Sequence, residues 1–243
     1  MILSRRRAVV AASITLAAVA SALAVGMIRH HSNPPGPRPA AERPPLLLLT
    51  SLPLLFGEDF SLKGGGSPAL ATLRTRYRVL PISVTDRAEL SKARLLLMAQ
   101  PQAQTAENLV ALDDWVRGGG HLLLFADPLL EWPSKRPLGD PLRPPPVFAD
   151  TGLLAHWGLR LDPPDRRGPA VRNLDGFDVL TVSPGVLSGA CKPVDGGLAA
   201  RCRIGSGEAI VIADADLLNV SALGAGARHN LDAVLEELAN LEQ

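Results

Sequence analysis

LLLMAQPQAQTAENLVALDDWVRGGGHLLLFADP, residues 95–128, is the stretch that decides the fold of this chain. It begins with the apolar run 95–99 and ends with a second one, 122–126, and both runs are nearly free of polar residues. Short, continuous apolar runs are typical of strands that are buried on both faces, as in a parallel sheet. Each run is followed by a proline, Pro101 or Pro128, which marks the exit of a strand.

A helix is predicted between the two runs. Its apolar side chains recur at the spacing of a single helical face: Leu109, Leu112, Trp115 and Val116. Thr105 is placed to cap the first turn, and Gly118 is placed to end the helix in the left-handed conformation. Strand, helix and strand in about 30 residues form a βαβ unit, and the crossover of such a unit is expected to be right-handed.

The same alternation continues along the chain. Further apolar runs of strand-like length lie at 46–50, 77–82, 177–182 and 209–213. Helices are predicted at 150–157 and 230–241, and the second of these is amphipathic. The sequence therefore predicts a single α/β domain over residues 46–243, with a layered sheet. Three residues at the centres of strands are predicted to be almost fully buried: Leu96, Leu123 and Ile210.

The N-terminal segment predicts a membrane span. Three arginines, at positions 5–7, precede the run 8–28, which contains no charged residue and is long enough to cross a bilayer. Residues 1–28 are therefore predicted to be a signal anchor or transmembrane helix, and 29–45, rich in proline, an extended linker. The alternative is a signal peptide cleaved near Ala22-Leu-Ala24. The expected location is the cell inner membrane, single-pass, with the bulk of the chain periplasmic.

Charge and glycine patterns limit the function classes. The chain has 243 residues, with 25 basic and 24 acidic side chains, and a formal net charge of +1. This balance lacks the basic excess of nucleic-acid-binding domains, so no nucleic acid partner is expected. Glycines 64–66 follow the first strand, but neither Gly-x-Gly-x-x-Gly nor Gly-Lys-Ser/Thr is present, and no cofactor is expected.

The central stretch also carries a family resemblance. Its three motifs are MAQP at 98–101, LDDWVRGGG at 112–120 and LLLFADP at 122–128. They resemble the core of the ABC-type transport auxiliary family linked with gliding motility, and LLAHWGL at 153–159 is similar to the next element of that family. The resemblance implies a flavodoxin-like, class I glutamine amidotransferase-like layered sheet. It also implies an accessory role at the membrane, with ABC transporter permease or ATPase subunits as partners.

Catalysis is not expected. The amidotransferase relatives implied by the resemblance use a cysteine on a tight strand-to-helix turn, with a downstream His and Glu. The corresponding turn in this sequence is Gln100-Pro101-Gln102, which offers no nucleophile. We therefore expect a non-catalytic binding protein for partner proteins or an envelope ligand. The alternatives are a hydrolase or amidotransferase-like enzyme with an unrecognised site, and a structural domain without a ligand of its own.

Three carboxylates are the candidate ligand-binding residues. Asp127, Asp214 and Asp216 lie just beyond the ends of two apolar strands. Where parallel strands are neighbours, such residues converge at one edge of the sheet, which is where α/β folds bind ligands. They would bind a divalent cation or a sugar hydroxyl, or they would cap the turns that follow the strands. No His or Cys is near in sequence, so no zinc site is expected.

A loop and a cysteine pair complete the predictions. The segment 131–146, rich in Pro, Arg and Asp, is predicted to be an irregular surface loop. Trp132 and Phe148 would either anchor a partner or fasten this loop to the core. Cys191 and Cys202, the only two cysteines, flank an Asp-Gly turn signal that can fold back as a hairpin. Because export places them in an oxidising compartment, a disulfide between them is predicted.

Overall fold

The computed structural model describes residues 34–56 and 66–243. The chain divides into two units, 1–31 and 32–243, and the described residues all belong to the second. The strands, in chain order, are β1 (Pro45–Thr50), β2 (Arg78–Pro81), β3 (Leu95–Ala99), β4 (His121–Phe125), β5 (Leu159–Asp162), β6 (Pro169–Leu174), β7 (Phe177–Val182), β8 (Val186–Gly189), β9 (Lys192–Val194), β10 (Ala199–Ile204) and β11 (Gly207–Ile212). The helices are α1 (Pro68–Arg76), α2 (Arg87–Leu90), α3 (Ala106–Arg117), α4 (Leu153–His156), α5 (Val220–Leu223) and α6 (Asn230–Asn240).

The main sheet has seven strands in the order β2-β1-β3-β4-β11-β10-β9. The five strands from β2 to β11 pair in parallel, and β10 and β9 follow as antiparallel neighbours. The predicted βαβ unit is confirmed, since β3 and β4 pair directly with α3 between them in the chain. The chain is therefore a mixed α/β protein with a sheet dominated by parallel strands.

Both faces of the sheet are covered, which explains why its strands are continuously apolar. On one face, alternate strand residues such as Leu97, Leu123 and Ile210 pack with apolar residues of α1 and α6. On the other face, their neighbours, such as Leu96 and Leu124, pack with α3 and α4. Leu96, Leu123 and Ile210 each have 0% exposure, so the prediction of their burial is confirmed.

The ends of α3 show which local predictions succeed. Thr105 caps the helix as predicted, because its side chain accepts a hydrogen bond from Asn108 N. The prediction that Gly118 is the left-handed residue is wrong, since its φ is −79° and it is the C-cap residue that follows Arg117. Gly119, with φ +98°, is left-handed instead, and the N–H groups of Gly119 and Gly120 donate to Val116 O and Trp115 O. This double hydrogen bond is the Schellman arrangement.

The cysteine pair is bonded, as predicted. Cys191 and Cys202 form a disulfide with Cα atoms 4.9 Å apart. The bridge lies beside the antiparallel pairing of β9 with β10, and the turn between these strands is the 3-10 helix Asp195–Gly197. The hairpin fold of this segment is therefore confirmed together with the disulfide.

Two small sheets were not fully anticipated from the sequence. β5 pairs with β8, and β6 pairs with β7, both antiparallel. The strands β6 and β8 were missed because each is half-exposed to exposed over most of its length, so neither shows an apolar run. The helix predicted at 150–157 is limited to α4, because Asp150 and Gly152 form a turn before it.

The described residues include only the later part of the predicted N-terminal segment. Within residues 34–56 and 66–243, no helix combines the length and the apolar composition that a membrane span requires. The predicted span 8–28 lies outside the described residues. The described part of the Pro-rich segment contacts the domain, since Arg38 N donates to Thr75 O and the Arg38 guanidinium pairs with Glu242 at 2.7 Å.

Candidate functional site

The candidate site lies at the carboxyl edge of the parallel strands, where β3, β4 and β11 end side by side. Asp127 follows β4, and Asp214 and Asp216 follow β11. Because β4 and β11 are paired neighbours, the three aspartates lie on one edge, as their positions in the sequence predicted. All three side chains are buried, with exposures of 0%, 0% and 3%. Buried carboxylates need hydrogen-bond donors, and the backbone supplies them.

The Asp127 carboxylate connects two strand ends. Its Oδ1 accepts a hydrogen bond from Leu129 N at 2.8 Å, within its own turn. Its Oδ2 accepts from Ala215 N at 2.8 Å, which belongs to the segment after β11. Asp127 therefore fastens the exit of β4 to the exit of β11.

The other two aspartates hold other loops. Asp214 Oδ1 accepts from Leu217 N at 2.7 Å, within the short 3-10 helix Asp216–Leu218 that follows it. Asp214 Oδ2 accepts from Val182 N at 2.7 Å, at the end of β7. Asp216 Oδ2 accepts from Glu131 N at 2.7 Å, in the long loop that follows β4. These bonds match the capping interpretation of the three aspartates.

Burial also changes the acidity of this cluster. It raises the pKa of Asp127 to about 6, although the backbone N–H groups bonded to its carboxylate oppose the rise. Burial raises the pKa of Asp216 to about 7, and the nearby Asp127 charge adds to that rise. The pKa of Asp214 is raised well above its ordinary value, first by burial and next by the charge of Asp127. The cluster therefore retains protons in a pH range where free aspartates have lost them.

Gln100 is the residue of this edge whose role the sequence did not reveal. It lies directly after β3, has 0% exposure and adopts φ +43°. Its Oε1 accepts from Asp127 N at 2.9 Å, and its Nε2 donates to Asp127 O at 3.2 Å and to Pro145 O at 3.0 Å. Every polar atom of the side chain is thus bonded to the backbone. The only sequence signal was its position at the exit of a buried strand.

The long loop after β4 closes over this edge. Phe148 N donates to Asp127 O at 2.7 Å, and Leu130 N donates to Pro146 O at 2.9 Å. Trp132 and Phe148 are half-buried and pack against opposite faces of the core. They fasten the loop to the domain, which is the second of the two roles considered for them. The strand exits are therefore covered by the protein's own chain.

Few reactive groups remain at this edge. The Ser183 hydroxyl donates a hydrogen bond to Glu131 Oε1 at 2.5 Å. The Ser51 hydroxyl donates a hydrogen bond to Gln100 O. Across residues 34–56 and 66–243, no three His, Cys, Asp or Glu side chains are grouped so that they could hold a metal ion. Binding of a ligand by Asp127, Asp214 and Asp216 stays a prediction, while their hydrogen bonds show a structural role.

The raised pKa values predict how stability depends on pH. A carboxyl group with a higher pKa in the folded state binds a proton that the unfolded state has lost, so its contribution to stability falls as pH rises from about 4 to about 7. We expect Asp216→Asn to become more stable than the parent by up to about 4 kcal/mol at pH 8, with a much smaller difference at pH 4. The asparagine oxygen can still accept from Glu131 N.

Urea unfolding at pH 4, 6 and 8, followed by circular dichroism, measures this difference. Asp178→Asn is the matched control, because Asp178 is exposed on β7. A stability difference between Asp216→Asn and the parent that does not change with pH would contradict the assignment.

Several solved structures are similar to this chain in fold. The mmIFT52 N-terminal domain has a TM-score of 0.50 and 16% identity, over 79% of this chain and 96% of that chain. The cytoplasmic protein STM1381 from Salmonella typhimurium LT2 has a TM-score of 0.50 and 10% identity, over 81% of this chain and 99% of that one. An exo-beta-1,4-mannosidase from Opitutaceae bacterium strain TAV5 has a TM-score of 0.49 and 13% identity over 82% of this chain, which spans only 36% of the mannosidase.

Sequence comparison identifies the family. No curated protein matches the chain. A family model described as "ABC-type uncharacterized transport system" matches residues 24–165, which is more than half of the 243 residues. The matched region contains β1 to β5, the strand exit at Gln100 and Asp127, and the loop that covers it. The chain therefore belongs to the ABC transporter auxiliary family, the auxiliary components of ABC-type transport systems.

Proposed function

We propose that this protein is a non-catalytic, membrane-anchored accessory component of an ABC-type transport or envelope system. It would act by binding partner proteins, with transporter permease or ATPase subunits as the first candidates, or an envelope ligand. Membership of the auxiliary family supports the link to transport. The gliding-motility link implied by the motifs at 98–128 is part of the same proposal.

One observation carries the non-catalytic part of this proposal. The turn after β3, which would present a nucleophile in an amidotransferase, contains Gln100. This side chain is buried, and its amide is fully used in bonds to Asp127 and Pro145. A general base there would have no nucleophile to activate. The geometry therefore supports a structural use of the position, and it favours a binding protein over a hydrolase.

We further propose that the fold belongs to the flavodoxin-like group and is related to class I glutamine amidotransferase-like domains. The strand order supports this, because β2-β1-β3-β4 is followed by β11 as the fifth parallel strand. The flavodoxin-like order is 2-1-3-4-5. Helices on both faces of the sheet agree with the same arrangement.

The proposed location is the inner membrane, with a single span and residues 45–243 in the periplasm. The three arginines at 5–7 before the uncharged run 8–28 support this orientation. The disulfide between Cys191 and Cys202 supports an oxidising compartment, since such bonds are rare in the cytosol.

Reporter fusions test the proposed orientation. Alkaline phosphatase, which is active only after export, should be active when fused after Gln243. A cytoplasm-dependent reporter at the same site should be inactive. In the matched variant Arg5→Glu, Arg6→Glu, Arg7→Glu, the positive-inside signal is lost and the phosphatase activity should fall. Activity of the cytoplasm-dependent reporter on the unchanged chain would contradict the proposal.

Copurification tests the accessory role. The chain, tagged after Gln243, should copurify with the permease and ATPase subunits encoded in neighbouring reading frames, when all are expressed together. An unrelated single-span protein with the same tag is the control. If the neighbouring frames encode no transporter subunits, or if those subunits do not copurify beyond the control, the accessory role is contradicted.

A further inference from the structure

We propose that the amino edge of the main sheet is a docking surface for anionic phospholipid headgroups. This inference rests on the membrane anchoring in the proposed function, and it adds the surface of the domain that faces the lipid. The surface, which we name the basic edge, is formed by five exposed arginines: Arg74, Arg78, Arg94, Arg117 and Arg203.

The topology brings these arginines to one edge. Arg78 is the first residue of β2 and Arg94 directly precedes β3, so both lie where parallel strands begin. Arg74 and Arg117 lie in the last turns of α1 and α3, which return the chain to that side of the sheet. Arg203 pairs in register with Glu208 near the start of β11. Sequence spacing gives no hint of this set, because its members are spread over 130 residues.

Most of this charge is available to an external anion. Within the described residues, Arg74, Arg78 and Arg203 make no ion pair or side-chain hydrogen bond. Arg94 donates to Gly119 O at 3.0 Å, and a carbonyl does not neutralise its charge. Only Arg117 is paired, with Asp113 at 2.7 Å.

Acidic groups near the basic edge are fewer. Glu42 is exposed, and Glu208 is half-exposed beside Arg203. Asp114, in the last turn of α3, pairs with Arg87, and Glu89 pairs with Lys92, so each of these charges is offset by a cation outside the named five. Glu242 lies near this edge too, but it is paired with Arg38. The edge therefore carries a positive excess although the whole chain has a formal charge of only +1. Guanidinium groups bind phosphate oxygens with paired, charge-assisted hydrogen bonds, so phosphate-bearing headgroups suit this surface.

The path of the chain is our reason for proposing a lipid surface as the partner. Residues 34–44, which we name the arm, lead to β1 beside the end of α1 and the start of β2, where Arg38 N donates to Thr75 O and Arg78 N donates to Pro44 O. The arm is fixed there, because the Arg38 guanidinium donates to both Glu242 carboxylate oxygens, at 3.2 and 2.7 Å, and lies 5.7 Å from the Tyr77 ring centre. Tyr77 also donates to Glu242 Oε1 at 2.5 Å, and Arg76 donates to Gly36 O.

The chain between the apolar run and the arm is short. Only the five residues 29–33 separate the apolar run 8–28 from the arm. Six Cα–Cα steps extend to at most about 20 Å. Because the arm is fixed to the domain, the proposed span would leave only these five residues between the domain and the headgroups. Contact of the basic edge with the headgroups would bring its arginines within the roughly 8–10 Å over which salt screens their attraction.

Arginine-specific dicarbonyl labelling with mass spectrometry tests this proposal on the full chain. The chain is reconstituted into zwitterionic vesicles of phosphatidylcholine, or into vesicles with one third phosphatidylglycerol. Labelling of Arg74, Arg78 and Arg203 should slow by roughly fivefold in the anionic vesicles, on the scale expected for one arginine at a charged surface. Half-molar salt should abolish the slowing. Arg166, Arg167 and Arg172, exposed elsewhere on the domain, should label at the same rate in both vesicle types.

Two matched variants complete the design, with Arg94 as the reporter. In Arg74→Gln, Arg78→Gln, Arg203→Gln, Arg94 should lose most of its protection in anionic vesicles. In Arg166→Gln, Arg167→Gln, Arg172→Gln, which removes the same charge elsewhere, Arg94 should keep it. Equal labelling in both vesicle types, or equal slowing at the remote arginines, would overturn the proposal. A chain that does not float with zwitterionic vesicles would instead refute the anchoring, so the two failures are distinguishable.

Discussion

Truncation of Leu123 to alanine should lower the free energy of unfolding by about 2–5 kcal/mol, the range for deleting a buried leucine side chain. Leu123 lies in β4, at the middle of the main sheet, and has 0% exposure. Its register partners are Leu97 on β3 and Ile210 on β11, which are equally buried. A cavity at this point is enclosed by two neighbouring strands and a helical layer. The surroundings therefore have little freedom to collapse into it.

Urea unfolding of residues 32–243, the compact unit with the whole sheet, measures this loss. Leu138→Ala is the matched control: it removes the same atoms from a side chain that is 80% exposed, and it should change stability by less than about 0.5 kcal/mol. A loss below about 1 kcal/mol for Leu123→Ala would show that β4 is not a central strand.

Replacement of Gln100 by alanine should lower the free energy of unfolding by about 2–4 kcal/mol, because buried partners lose their hydrogen bonds. The change removes the acceptor of Asp127 N and the donor to Asp127 O and Pro145 O. It leaves a non-glycine residue at φ +43°, so the backbone strain is not relieved. The long loop over the strand exits also loses one of its attachments to the sheet.

The local effect can be separated from the global one by amide hydrogen exchange. In Gln100→Ala, exchange should accelerate most at Asp127 N and Phe148 N, which are bonded across this edge. Gln102→Ala is the matched control, since the exposed Gln102 side chain makes only long bonds of 3.4 Å to Pro141 O and Arg143 O. If both variants lose the same stability, the buried amide of Gln100 has no special role.

Features that depend on neighbouring residues were determined by the sequence alone. The apolar runs predicted β1, β3, β4 and β11, because a strand buried on both faces must be apolar throughout. Thr105 predicted the start of α3, because a cap acts on an N–H group three residues away. Cys191 and Cys202 were the only possible pair in the chain, and the Asp-Gly turn between them folds within the same segment.

The end of α3 was misplaced by one residue for a related reason. Three successive glycines, 118–120, all permit a left-handed conformation, so composition did not distinguish them. The hydrogen bonds of the last helical turn selected Gly119.

Only the tertiary structure decided how the carboxyl edge is used. The sequence placed Asp127, Asp214 and Asp216 at strand exits, but it did not show the remote donors that also bond them: Ala215 N is 88 positions from Asp127, and Glu131 N is 85 positions from Asp216. Gln100 likewise gains its role from Pro145, 45 positions away. A periodic pattern reports which face of an element is buried, and it carries no information about which distant loop arrives there. The basic edge has the same origin, because strand order and helix return, and not spacing along the chain, bring its arginines together.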